Sequence, residues 1–151
     1  MKAPLALGVF LALVAAAALF GAQFTPGAWY EALRKPPLTP PSWIFAPVWS
    51  ALYLGIASAG WLVWRARPRL GPPLFAWGGQ LVLNAAWSLL FFGLQRPGLA
   101  LLEILVLLAA VGATTAEFFR IRPLAGWLFV PYAAWVSFAA YLNAGLWYLN
   151  R

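Results

Sequence analysis

Gln80, Asn84, Trp87 and Phe91 recur three or four residues apart inside an apolar run, a spacing that puts all four on one face of a helix. An amide in hydrocarbon is costly unless it is bonded, so Gln80 and Asn84 should face the protein interior rather than lipid. Two chemistries suit them: bonds to neighbouring helices, worth about 0.6 kcal/mol on average in membranes, or polar points in a ligand pocket. For Gln80 the two stand level. Near the C-terminus Trp135, Ala139 and Leu142 share a face in the same way, with Asn143 adjacent. Small Ala139 beside large Trp135 leaves the slot a flat aromatic ligand would use, and helix packing alone would also explain it. Glu103 lies inside a further apolar run, where a carboxylate at depth costs about 2.5 to 3.5 kcal/mol on insertion scales. It is a functional candidate by default, expected as a protonated or hydrogen-bonded group in the first turns of its helix, near a pocket floor or an interface. Glu117, beside Arg120, reads as a surface partner. Neither acid has a second carboxylate at a spacing that suggests a metal or an acid–base pair. The chain has no His and no Cys, which removes thiol nucleophiles, disulfides, haem ligation by those residues and the usual zinc ligands.

The elements that position these residues follow from composition. The chain is 64% hydrophobic and 9% charged, with a mean hydropathy of +0.82. A soluble domain carries roughly 25% charged residues, so this surface must face lipid. The net charge of +7 does not indicate nucleic acid, because the basic residues sit singly or in small groups between apolar runs, where they meet lipid headgroups. A spanning helix needs about 20 apolar residues, and Pro, Gly and Arg divide the chain into five such runs: 4–24, 43–64, 72–94, 97–119 and 123–149. Most begin at or near a proline, which is tolerated in a first helical turn. An all-α five-helix membrane bundle in a single domain, 1–151, is the economical reading, with consecutive helices as antiparallel neighbours. The first run also has the basic start and small residues of a signal peptide, but it exceeds the 7–15 residues usual for the apolar part of one, so a retained helix is expected. Lys2, Arg65, Arg67, Arg69, Arg120 and Arg122 fall on one side and Arg34, Lys35, Arg96 and Arg151 on the other, which places the N-terminus in the cytoplasm. A bacterial cell membrane is the expected residence.

Between the first two spans, loop 25–42 has the makings of a structured lid. Trp29 and Tyr30 suit a membrane interface, Arg34 and Lys35 can reach anionic groups, and Pro36, Pro37, Pro40 and Pro41 stiffen the chain. Stiffening lowers the entropy cost of holding a loop over a cavity. An interfacial linker with ordinary aromatic anchors has the same composition.

The stretch "WYEALRKPPLTPPSWIFAPVWSALY", Trp29 to Tyr53, resembles the signature of the translocator protein family, also called tryptophan-rich sensory protein or peripheral-type benzodiazepine receptor. "GQLVLNAAWSLLFFG", from Gly79, is similar to the family's third span, and "PYAAWVSFAAYLN", from Pro131, to its fifth. The resemblance covers essentially the whole chain. It implies a cavity under the first loop, closed by Trp29, Tyr30 and Pro40. Its walls would include Ala22, Phe45, Ala46, Trp49, Tyr53, Asn84, Trp87, Phe91, Leu99, Trp135, Ala139 and Leu142. Leu99 stands where some relatives have Trp. The ligands implied are tetrapyrroles such as protoporphyrin IX, with sterols and benzodiazepine-type compounds as further classes, and no obligatory cofactor or metal. A sterol-recognition pattern can be drawn through Leu146, Tyr148 and Arg151, but in the resemblance Ala144 stands where the animal members' sterol-motif Tyr would be and Tyr148 where their Arg would be, which argues against tight cholesterol binding. A homodimer is implied as well, though Phe75 interrupts the small-residue ridge that retains Gly79. Membrane lipid is a partner; nucleic acid is not. Other classes of function are a porphyrin or sterol transporter, a sensor acting through a partner, and an enzyme of light-driven porphyrin breakdown using the indoles of Trp49 and Trp135.

Overall fold

A computed structural model describes residues 1–151. The chain is all helical: α1 (Ala3–Ala22), a short α2 (Ala28–Ala32), α3 (Phe45–Ala66, entered through a 3₁₀ turn at Ser42–Ile44), α4 (Pro72–Ser88, continued by a π-helical turn at Leu89–Gly93), α5 (Pro97–Ile121) and α6 (Pro123–Asn150). All but α2 are long and apolar enough to cross a membrane, giving five spans and a multi-pass integral membrane protein. Proline occupies the first turn of α1, α4, α5 and α6, where its missing N–H costs no intrahelical bond.

The spans close into a ring. α1 packs on α3 and α4, α3 on α6, α6 on α5, and α5 back on α4. This corrects the expectation that all consecutive helices are close neighbours, since the α3 and α4 backbones run apart with α1 beside both, and the two helices meet through long side chains such as Trp77. Their connection, residues 67–71, can do this because it is extended at both ends, with φ −139° at Arg67 and −174° at Gly71. At about 3.3 Å per residue five residues can reach at most roughly 17 Å, and even with the turn that the Arg69 N–H closes on the Arg67 carbonyl this leaves room to pass a helix whose neighbours lie about 8–10 Å away.

The core is divided unevenly. A large cluster, including Phe10, Val14, Ile56, Trp77, Val111, Phe118 and Phe129, fills the bundle on the side of the 67–71 loop. Its tightest joint is at Gly60, where an added Cβ would lie 2.8 Å from the Trp77 ring and 2.9 Å from Phe10. Trp77 cannot retreat, because its indole N–H donates to the Ile56 carbonyl at 2.9 Å. A second, small cluster of Tyr30, Phe91, Ala100 and Leu146 lies at the opposite end, beneath loop 25–42. The outside is apolar, with exposed Leu5, Phe75, Val82, Leu102 and Trp127, as a lipid-facing surface requires.

Candidate functional site: a cavity beneath the first loop

Between the two clusters lies a cavity of ≈ 410 Å³, within the range of pockets that hold drug-sized ligands. Every span contributes to its wall. α1 supplies the small residues Ala18, Gly21 and Ala22, which keep that wall thin. α3 presents Phe45, Ala46, Trp49 and Tyr53 at helical spacing, and α6 presents Trp135, Ala139 and Leu142. The Phe45 and Trp135 rings meet edge-on at 6.0 Å, joining the α3 and α6 walls, and Trp49 lies tilted against Tyr53 at 5.4 Å. No Asp, Glu, Lys or Arg lines the cavity.

A directed chain of hydrogen bonds leads from the cavity wall into the packed half. The Tyr53 hydroxyl donates to Asn84 Oδ1 (3.3 Å), Asn84 Nδ2 to the Tyr132 hydroxyl (2.8 Å), Tyr132 to Gln80 Oε1 (2.7 Å), and Gln80 Nε2 to the Trp77 carbonyl (2.9 Å). Tyr53 and Asn84 line the cavity; Tyr132 and Gln80 do not. The two readings of Gln80 are thus separated: it is fully buried, both ends of its amide are bonded, and it works as structure. Asn84 keeps a second N–H for which no protein acceptor is found, and the Tyr53 oxygen keeps its lone pairs.

The far wall is braced by Trp87. Its indole N–H donates to Asn143 Oδ1 at 2.9 Å, and Asn143 Nδ2 donates to the Pro97 carbonyl at 2.8 Å, so α4, α6 and the start of α5 are tied together. Trp87 stacks on Phe91 at 4.9 Å and 21°. The π-helical turn at Leu89–Gly93 then brings Phe92 as well as Phe91 to the cavity, although the two are adjacent in sequence. Such turns insert one extra residue and are frequent at functional sites.

Loop 25–42 covers one end. Thr25, Pro26, Tyr30 and Ser42 of the loop, with Phe24 just before it, reach the cavity. Lys35 does not point outward: its ammonium donates to the carbonyls of Tyr30 (3.0 Å), Glu31 (3.2 Å) and Leu33 (3.1 Å), capping α2, and lies 4.8 Å from the Tyr30 ring centre. All three of its donors are used within the loop, which removes it from the groups available to an anion. Burial, and secondarily the neighbouring Glu31, push the Tyr30 phenol above its ordinary 10.0.

Of the residues expected at the site, Ala22, Tyr30, Phe45, Ala46, Trp49, Tyr53, Asn84, Trp87, Phe91, Trp135, Ala139 and Leu142 come together around this cavity. Trp29, Pro40 and Leu99 do not line it. Trp29 packs edge-on against Phe91 at 5.7 Å, behind the wall. Leu99 is 48% exposed, on the same lipid-facing side of α5 as Leu102 and Val106. Pro40 is half-buried in the loop but makes no part of the cavity wall. Residues not foreseen include Ser88, Phe92, Ile104, Leu107, Val136 and Leu146. Val136 and Leu146 extend the Trp135, Ala139, Leu142 stripe and could have been found by continuing it; Phe92 depends on the π-helical turn, for which the sequence carries no signal. Glu103 immediately precedes Ile104 in α5, and both of its carboxyl oxygens are buried without a hydrogen-bond partner. Glu117 pairs with Arg120 at 2.8 Å on the surface.

The sequence profile of the TspO/MBR family matches residues 9–149. Among curated proteins, the chain is 38% identical to the translocator protein of Homo sapiens over 138 residues, covering 87% of this chain and 82% of the human one. It is 39% identical to protein CrtK of Rhodobacter capsulatus, covering 94% and 91% of the two chains. With the tryptophan-rich protein TspO of Chlorobaculum tepidum it shares 38% identity, covering 99% and 98%. With nearly its whole length matched and its five spans ringed around one cavity, the chain belongs to the TspO/MBR family.

Proposed function

We propose that this protein is a membrane receptor for planar tetrapyrroles, with metal-free protoporphyrin IX as the representative ligand, bound in the cavity beneath loop 25–42. The observation that carries the reading is the cavity wall: the indoles of Trp49 and Trp135 on α3 and α6 line an uncharged, mainly apolar space in which Ala139 leaves room. A flat apolar macrocycle gains by stacking on such rings, each aromatic contact adding about 0.5–1.5 kcal/mol beyond area burial. The pyrrole edge meets Asn84 and Tyr53, the two polar groups at the inner end with bonding capacity left. The propionates extend toward the loop, where the Arg34 guanidinium remains unpaired and Lys35 does not. With no His or Cys in the chain, haem gains no axial bond from those residues, and the metal-free macrocycle is the better ligand.

Titration of the purified protein with protoporphyrin IX, read by tryptophan fluorescence, tests the reading. Saturable quenching in the wild type, weakened at least about tenfold in Ala139→Leu with the fold intact, is expected. Indistinguishable titrations of the two proteins would reduce the quenching to nonspecific partitioning and overturn the assignment.

A further inference from the structure

Loop 25–42 is fastened to the last turns of α6 at three points far from it in sequence. The Asn150 carboxamide clamps the backbone of Arg34 from both sides: Oδ1 accepts from the Arg34 N–H at 2.9 Å, and Nδ2 donates to the Arg34 carbonyl at 2.9 Å. Nδ2 also donates to the Leu146 carbonyl at 2.7 Å, which orients the amide on its own helix. One helical turn and more below, Pro36 lies against the backbone of Gly145, where an added Cβ would come within 2.5 Å of the proline ring. The third point is the Tyr141 hydroxyl, which donates to the Pro37 carbonyl at 2.8 Å.

Between these points the loop is internally stiff. Lys35 ties the end of α2 to the segment that follows it, and Thr39 Oγ1 donates to the Pro36 carbonyl at 2.7 Å. The turn passes through Leu38 at φ 68°, a left-handed conformation that costs a branched residue on the order of 1–2 kcal/mol and persists only where its surroundings hold it. A loop stiff within itself, and attached to the bundle through a few discrete contacts, detaches by breaking those contacts rather than by bending.

From this arrangement we infer that Asn150, assisted by Tyr141 and the notch at Gly145, is a positioning residue that latches the loop over the cavity and sets how fast ligand enters and leaves. The inference rests on the cavity being the binding site. Asn150 itself does not line the cavity, so it acts on exchange through Arg34 and the loop and makes no contribution to the bound complex by direct contact. Opening the latch raises the rates of entry and exit together and leaves the dissociation constant nearly unchanged.

The experiment measures two quantities on the full chain in lipid nanodiscs. One is hydrogen exchange at the Arg34 amide without ligand; the other is stopped-flow association and dissociation of protoporphyrin IX. Replacing two solvent-exposed hydrogen bonds by none, in Asn150→Leu, is expected to accelerate Arg34 exchange and both rates about fivefold. Asn150→Asp, which keeps the acceptor and loses the donor, should fall between. Tyr141→Phe, which deletes only a hydroxyl at the loop, should shift all three quantities in the same direction by about twofold. Exchange unchanged at Arg34, or raised equally throughout the spans, would overturn the latch. A wild type without saturable porphyrin binding, in which Asn150→Leu still accelerates Arg34 exchange, would sink the porphyrin reading and leave the latch standing.

Discussion

The two ends of the bundle are built from the same residue types and do opposite things with them. Toward the 67–71 loop, aromatic rings fill space: Phe10 meets Trp77 edge-on at 5.0 Å, and Phe118 meets Phe129 at 5.1 Å, all buried. Toward loop 25–42, Trp49, Trp87, Phe91 and Trp135 surround space instead. The difference does not lie in hydrophobicity. It lies in which residues face the rings. In the packed half a glycine, Gly60, lets two rings from α1 and α4 press onto α3. In the hollow half the small residues Ala18, Gly21, Ala22 and Ala139 line the cavity, while rings around it are held by other partners and do not move in to fill the gap. Trp87 is held by Asn143. The chain Tyr53, Asn84, Tyr132, Gln80 marks the border between the halves.

The largest test of this contrast adds volume to each half. Gly60→Val drives a side chain into Trp77 and Phe10, and Trp77 is fixed by its bond to Ile56; the expected loss is about 3 kcal/mol, read by thermal unfolding in detergent. Ala139→Leu, filling the cavity, should change stability by less than about 1 kcal/mol while abolishing most ligand affinity. Equal losses at the two sites would mean that the halves are packed alike. Next in size is Tyr132→Phe at the border. It leaves Gln80 Oε1 and an Asn84 N–H without their partners, at a cost of about 2 kcal/mol. Unchanged stability would show that the border is not held by its polar layer.

The smallest expected effect concerns the loop alone. The folded Tyr30 phenol titrates above 10.0 because of burial and, less, Glu31. Above pH 10 the unfolded chain therefore gives up this proton before the folded one does. The folded state then binds more protons, and stability falls as pH rises. The melting temperature of the wild type relative to Tyr30→Phe should be flat from pH 6 to about 9 and fall above about 10. A fall that begins already near neutrality would contradict the burial of this ring.

The fold was largely legible because its signals are long and redundant. Runs of about 20 apolar residues begin with Pro4, Pro72, Pro97 and Pro123, and the structure starts helices within a residue of each. The face of α4 was legible too, since Gln80 and Asn84 are polar residues in a lipid-facing helix and only one orientation buries both. On α5 the one acidic marker in the first turns, Glu103, has its carboxyl oxygens buried but does not line the cavity, and Leu99, Ile104 and Leu107 are all aliphatic, so sequence could not tell which of the three meets lipid and which the cavity. Lys35 shows a different limit. A cation in a loop suggests an external anion, yet the carbonyls at the end of α2 lie close enough to take all its donors. The clamp of Asn150 on Arg34 joins positions 116 residues apart, and no local pattern encodes it.

The most direct test of the account is a structure of the protein with protoporphyrin IX in lipid nanodiscs. One macrocycle is expected between α3 and α6, bounded by Trp49, Trp135 and Ala139, with an edge at Asn84 and the propionates toward loop 25–42. A macrocycle on the lipid-facing surface, with the cavity filled by rearranged side chains, would contradict it.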